Sequence, residues 1–310
     1  MVELSIVTTT YCSEKDLKEF HARTVRAALA ITNNFELIYV NDGCPQRSLQ
    51  IALEFMRVDP RIVVVDLSRN FGHHRALMTG LQHAVGRHVF MIDSDLEEQP
   101  ELLHDYWTAL AATPNADSIY GTQETRKGGL FERVSGHIWY RFFALLSSIK
   151  YPPNGVTARL MTRRYVDALL QFPETELELW GVFVLVGFEQ KEVLVVKGAK
   201  STSTYSLRKK ISSAVESITS FSSAPLTGLF LLGSSITTGS LLIVIYLIVS
   251  KFLFNSIIAG WTSILVSIWL LGGLIIFSIG LIGIYLSKMF LEIKRRPLAI
   301  IRKVYRSDDG

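Results

Sequence analysis

Short apolar runs at residues 4–8, 35–40, 62–67 and 88–92 alternate with stretches at 17–31, 48–57 and 75–85 in which apolar residues recur every three or four positions. The first pattern predicts buried strands and the second amphipathic helices. Their alternation predicts a mostly parallel α/β sheet. In such sheets ligands settle beyond the carboxyl ends of the strands. Three polar clusters fall there: Thr9-Thr10-Tyr11, Asn41-Asp42-Gly43 and Asp93-Ser94-Asp95. Past Gly121 the pattern loosens. Gly128-Gly129 and Pro152-Pro153 mark loops around an expected helix at 130–148, and residues 193–196 read as one more strand.

The last third of the chain follows a different rule. Apart from Lys251, no residue from 217 to 287 is charged, and stretches near 226–250 and 261–286 each exceed the roughly 20 apolar residues that cross a bilayer. Buried helices of a soluble bundle normally keep a polar face, so these stretches predict a transmembrane hairpin within 226–287. Just ahead of it, Ile211, Val215, Ile218 and Phe221 lie at helical spacing among Ser and Glu, which predicts an interfacial amphipathic helix at 211–225. Arg208, Lys209 and Lys210 precede the hairpin, and Lys288, Lys294, Arg295 and Arg296 follow it, whereas its connection carries only Lys251. The bias of basic residues toward the cytoplasm then places residues 1–210, a basic tail at 288–310 and both termini on that side of the inner membrane. A basic segment followed by an apolar one is missing at the N-terminus, so no signal peptide is expected.

Charge and cysteine usage narrow the functional classes. The formal net charge is +4 over 310 residues, and the excess positive charge lies mostly at the membrane flanks. Each basic residue there contributes about 1 kcal/mol of attraction to an anionic leaflet. The charge therefore gives no support to nucleic-acid binding, and no interleaved aromatic and basic residues form a base-stacking platform. Cys12 and Cys44 are the only cysteines. In a reducing compartment they predict neither a disulfide nor, by spacing, a metal site. Gly272, Gly273, Gly280 and Gly283 permit close helix packing, and a homo-oligomer, with a tetramer as one form, is expected.

Asp93 and Asp95 are the strongest chemical signal. Two carboxylates one residue apart at a strand end can ligate a hard divalent cation whose other positions hold a substrate diphosphate, although acidic pairs also cap strands and helices. Arg69 is a candidate for neutralising such a site or for a structural ion pair. His73 and His74 read as a helix start or packing pair, and Glu97 and Glu98 as helix caps or sugar contacts. Lys197, Lys200, Arg208 and Lys209 are candidates for an acceptor phosphate near the membrane surface, with headgroup anchoring as the alternative.

Several motifs follow one another in a telling order: Tyr39-Val40-Asn41-Asp42-Gly43, Ser68-Arg69-Asn70-Phe71-Gly72-His73, Asp93-Ser94-Asp95-Leu96, Arg159-Leu160-Met161, Ser222-Ser223-Ala224-Pro225-Leu226 and Lys294-Arg295-Arg296-Pro297. Together they resemble the polyprenyl-phosphate glycosyltransferases of glycosyltransferase family 2. The resemblance implies a GT-A (Rossmann-like) catalytic domain, a nucleoside-diphosphate sugar donor such as a UDP-hexose, a polyprenyl phosphate acceptor, and Mg²⁺ or Mn²⁺. By the same resemblance Asp93 and Asp95 would hold the metal and diphosphate, and Arg69 would lie near the donor. Thr9, Tyr11, Asp42 and Ser94 would line the nucleotide-sugar site. The chain departs from the family at Thr9-Thr10-Tyr11-Cys12-Ser13, at Asn41, at Glu97-Glu98 and at Val156-Thr157-Ala158-Arg159. The expected activity is inverting transfer of a single sugar to the lipid carrier at the cytoplasmic face, giving a lipid-linked sugar for cell-surface glycans. The rivals are a processive polysaccharide synthase and a non-catalytic membrane scaffold or flippase partner. A chain ended after Ser206 is expected to be soluble and able to bind nucleotide but to glycosylate a long-chain acceptor poorly.

Overall fold

The structure, a computed structural model, describes residues 2–123, 155–172, 179–195, 224–254 and 260–307. The chain divides into two units: one from Met1–His137, Ile149–Tyr205 and Arg295–Gly310, the other from Ile138–Ser148 and Ser206–Lys294.

The first unit is built on the predicted strands and helices. They are β1 (Leu4–Thr10), α1 (Leu17–Leu29), β2 (Phe35–Asn41), α2 (Ser48–Val58), β3 (Ile62–Leu67), α3 (His73–His83) and β4 (His88–Met91). Strands β1 to β3 are buried at every position, the signature of a sheet covered on both faces. Alternate residues feed two cores. Leu4, Ile6, Leu37, Tyr39, Val64 and Phe90 pack with Phe20 of α1 and Ile51 of α2 on one face. Val7, Ile38, Val40, Val65, Val89 and Met91 pack with Leu77, Met78 and Leu81 of α3 on the other. This is the expected Rossmann-like α/β arrangement.

Beyond β4 come α4 (Leu102–Ala111), β5 (Ser118–Thr122), β6 (Gly155–Thr162), α5 (Arg163–Leu169), α6 (Leu179–Leu185) and β7 (Gln190–Leu194), the last matching the strand expected nearby. Strand β6 runs antiparallel to β4 and β5, so the sheet is mixed. The expected helix at 130–148 and residues 211–223 of the one expected at 211–225 lie outside the described residues, as do Lys197, Lys200, Arg208 and Lys209; Ala224 and Pro225 open the helix Ala224–Phe254.

One sequence expectation changes here. Residues 288–310 were to form a basic tail, yet Ile301–Tyr305 is a strand, β8, that pairs antiparallel with β3 and completes the order β7-β5-β6-β4-β1-β2-β3-β8. The physical reason is an open edge. Without β8 the fully buried β3 would end the sheet with unpaired amides and carbonyls, whereas Arg302 and Lys303 on β8 make a charged edge that resists further strand addition.

In the second unit, α7 (Ala224–Phe254) and α8 (Trp261–Ile293) run for 31 and 33 residues. Among the described residues, Leu271–Ile293 is long and apolar enough to cross a membrane. Its large side chains are exposed, Ile276 by 73% and Ile279 by 63%, as a helix facing hydrocarbon requires.

Candidate active site

The carboxyl ends of β1, β2 and β4 bring the three polar clusters to one edge of the sheet, in the register that pairs Thr10 with Asn41 and Val7 with Met91. Asp93 and Asp95 follow β4. The backbone between them and the next helix turns sharply through Leu96, whose φ of 60° is unusual for a side-chain-bearing residue. Packing of Leu96 against the core offsets that strain, and the Asp95 Oδ1 carboxylate accepts from the Glu97 amide at 2.9 Å. The turn fixes where the second carboxylate stands.

Asp93 Oδ1 lies 3.2 Å from His73 Nε2, but that approach is an ion pair rather than a hydrogen bond of good geometry. The oxygen is therefore buried without a hydrogen-bonding partner although 26% of its side chain is exposed. The same imidazole meets Thr9 Oγ1 through Nδ1 at 3.2 Å. Burial alone would lower the His73 pKa. The contact with Asp93 and the fields of Asp93, Asp42 and Asp95 outweigh it, so the pKa is raised and positive charge is favoured beside the acids. His73 opens α3, the helix start that the sequence reading offered for it, and its ring also reaches Asp93.

Other predicted residues have structural partners. Ser94 is 4% exposed; its hydroxyl donates to the Thr9 carbonyl at 2.7 Å and lies 3.0 Å from the Ser13 hydroxyl. It straps β4 to the end of β1 rather than presenting a hydroxyl to ligand. Asp42 is 2% exposed, and its two oxygens accept from the amides of Phe71 at 2.7 Å and Gly72 at 3.0 Å, which holds the loop leading to His73. The neighbouring Gly43 has φ 59°, and a Cβ there would come within 2.3 Å of the Arg69 carbonyl carbon, so glycine is required for the two loops to touch. Arg69 stacks over the Phe71 ring at 4.1 Å and donates to the Asn70 carbonyl at 2.8 Å. Tyr11 is 49% exposed at the rim.

Two departures from the family pattern gain reasons. Asn41 donates through Nδ2 to Asp66 Oδ1 at 2.7 Å, where an aspartate would set two carboxylates face to face. Arg302 of β8 reaches the other Asp66 oxygen at 3.2 Å and the Ser68 carbonyl at 2.8 Å. Glu98 is buried, and its oxygens accept from the Thr157 amide at 2.9 Å and the Ala158 amide at 2.6 Å, tying the loop after Asp95 to β6. It caps no helix. Arg159 is enclosed by Phe183, Tyr120 and Trp180, with Gln190 Oε1 accepting from it at 2.6 Å. Its burial lowers its pKa and gives it a structural place.

No group of three or more ligand-type side chains converges among the described residues. A magnesium-like ion bound with a diphosphate needs only one or two protein carboxylates, because phosphates and water fill the remainder. The Asp93 oxygen, which lacks a hydrogen-bonding partner, together with the nearby Asp95 carboxylate fits that requirement.

The model of the family Glycosyl transferase family 2 matches residues 5–170. A protein of Mycobacterium tuberculosis (strain CDC 1551 / Oshkosh) named as a putative glycosyltransferase is 47% identical over 307 residues, covering 99% of this chain and 90% of its own. An SfII prophage-derived bactoprenol glucosyl transferase of Shigella flexneri is 30% identical over 314 residues, covering 99% and 100%. Among solved structures, mannosyl-3-phosphoglycerate synthase from Rubrobacter xylanophilus aligns with a TM-score of 0.48 at 12% identity over 75% of each chain.

Proposed function

The chain belongs to glycosyl transferase family 2, and from that premise we propose that it transfers a single hexose from a nucleoside diphosphate, a UDP-hexose by resemblance, to a polyprenyl phosphate at the cytoplasmic face of the membrane. The observation that carries the reading is the Asp93–Asp95 pair at the end of β4, with one buried Asp93 oxygen that lacks a hydrogen-bonding partner and lies 3.2 Å from the His73 ring. The full-length similarity to a bactoprenol glucosyl transferase supports the lipid acceptor.

In the proposed reaction an acceptor phosphate oxygen bonds to the anomeric carbon from behind as the bond to the diphosphate breaks, inverting that carbon. Asp93 and Asp95 are the residues that would hold Mg²⁺ or Mn²⁺, which supplies Lewis-acid charge relief to the leaving diphosphate when bound. His73, whose pKa the neighbouring acids raise, stands at the same end of the pocket. Ser94, Asp42 and Glu98 hold the three loops in place, so little reorganisation is required as charge moves. The phosphate monoester, with a second pKa of about 6, is already a nucleophile near neutral pH. Lys197, Lys200, Arg208 and Lys209 are assigned to the acceptor phosphate on their sequence position.

The sheet supports the hairpin. Strand β8 follows α8 yet pairs with β3, so the N-terminal strands and the C-terminal strand share one compartment. The chain between them crosses a bilayer an even number of times. If Leu271–Ile293 spans, α7 supplies the second crossing. Asp95→Asn tests the site: it should leave a folded, membrane-bound protein that has lost most turnover, and excess EDTA should have the same effect on the unaltered enzyme. Near-normal transfer in either case would remove the metal role from Asp95.

A further inference from the structure

Cys12 and Cys44 are far apart in sequence but meet beyond the ends of β1 and β2, directly after Tyr11 and two residues after Asp42. The Cys12 amide donates to Cys44 Sγ at 3.1 Å and the Gln46 amide to the same sulfur at 3.3 Å, while that thiol lies 3.4 Å from Ser48 Oγ. Ser48 opens the eleven-residue helix α2, whose positive end also faces this corner. Burial would raise the Cys44 thiol pKa. The Ser48 hydroxyl and the amides of Cys12, Gln46 and Ser48 together outweigh burial and hold it below the ordinary value. Cys12 is exposed, Cys44 is partly exposed, and both are free thiols. Cys12 also adopts φ 55°, a left-handed turn that carries its amide over the Cys44 sulfur.

We propose that Cys12 and Cys44 form an oxidation site for hydroperoxides, with Cys44 the attacking thiolate and Cys12 the resolving thiol. An accessible thiol stabilised by nearby donors, with a second thiol beside it, is the arrangement on which peroxide oxidation is selective. In the first step the Cys44 sulfur bonds to one peroxide oxygen, the O–O bond breaks, and hydroxide or alkoxide leaves, giving a sulfenic acid. In the second the Cys12 sulfur attacks the Cys44 sulfur. The S–S bond forms, the S–O bond breaks, and the departing hydroxide takes the Cys12 proton as water. Two electrons pass from the thiols to the peroxide. The crosslink ties the loop bearing Tyr11 to the loop bearing Asp42, and its effect on transfer rests on the reading of this edge as the donor pocket.

The test uses the full-length protein in detergent, freed of reductant and treated with hydrogen peroxide, with peptides mapped by mass spectrometry without reduction. The expected product is an intramolecular Cys12–Cys44 peptide lighter by two hydrogens, with transfer falling in proportion to the crosslinked fraction and returning with dithiothreitol. In Cys12→Ser the Cys44 sulfenic acid should persist and be trapped by dimedone, and in Cys44→Ser no dimedone adduct should form on Cys12. Two free thiols after peroxide, a crosslink only between chains, or an adduct on Cys12 would overturn the site. A complete crosslink with undiminished transfer would overturn its link to the donor loops. The peptide readout needs no transferase activity, so it can fail or succeed independently of the proposed reaction.

Discussion

Arg302→Ala probes the contact by which the C-terminal strand reaches the edge of the candidate site. The Asp66 side chain is 1% exposed, and its oxygens have Asn41 at 2.7 Å and Arg302 at 3.2 Å as partners. Removing one partner of a fully buried pair costs about 3–5 kcal/mol, whereas exposed pairs contribute about 0–1 kcal/mol. Arg302 is 59% exposed, so water screens the pair and the expected cost lies between these limits, about 1–3 kcal/mol. The lost hydrogen bond to the Ser68 carbonyl adds about 1 kcal/mol. The total is about 2–4 kcal/mol, and for a unit of this size each kcal/mol moves the melting temperature by about 2–4 °C, which places the expected fall at about 4–16 °C. The assay is thermal unfolding of the full-length protein in detergent, repeated for Asp66→Asn and for the double variant. Because the two side chains touch, the double variant should lose less than the sum of the single losses, with a coupling of about 1–2 kcal/mol. Unchanged melting of Arg302→Ala, or strict additivity, would show that β8 is held by its strand pairing alone.

Glu98→Gln should lower stability by about 2 kcal/mol, since an amide nitrogen must then face one of the two backbone donors now met by carboxylate oxygens; unchanged thermal unfolding would refute the clamp. Thr157→Ala should reduce turnover by less than about tenfold, because the acceptor phosphate supplies its own nucleophile and general-base help is worth roughly 10²- to 10⁴-fold. A loss of about 10³-fold in a folded, donor-binding variant would assign chemistry to that position. A chain ended after Ser206 loses β8, contrary to the simple expectation of a self-sufficient soluble domain, and should elute as aggregate because β3 becomes an open apolar edge. Restoring residues 295–310 through a flexible linker should recover monodisperse protein, and failure to do so would place the cause elsewhere.

The strands at the centre of the sheet were legible because burial on both faces leaves continuous apolar runs, as at Ile62–Leu67. Strand β8 was not, since Arg302 and Lys303 interrupt it and its partner lies more than 230 residues away. Asp93 and Asp95 could be read from their place after a strand, but nothing local told Ser94 from a ligand contact; only the fold reveals that its hydroxyl is spent on Thr9 and Ser13. The same holds for His73, which the close approach of α3 to β1 and β4 sets against Asp93. The thiol pair was missed because sequence spacing says nothing about which strand ends are neighbours. Asn41 was visible as a departure from the family pattern, and Asp66 beside it supplies the cause.

The central claim is transfer of one sugar to a polyprenyl phosphate, and it is tested most directly by weighing the product. Membranes containing the full-length protein, incubated with undecaprenyl phosphate and Mg²⁺ or Mn²⁺ against a panel of nucleotide sugars, should yield a lipid heavier by one hexose with one donor. Asp95→Asn membranes should not yield it. Lipid or polymer carrying many sugars, or no glycosylated lipid with any donor from protein shown to bind nucleotide sugar, would contradict the claim.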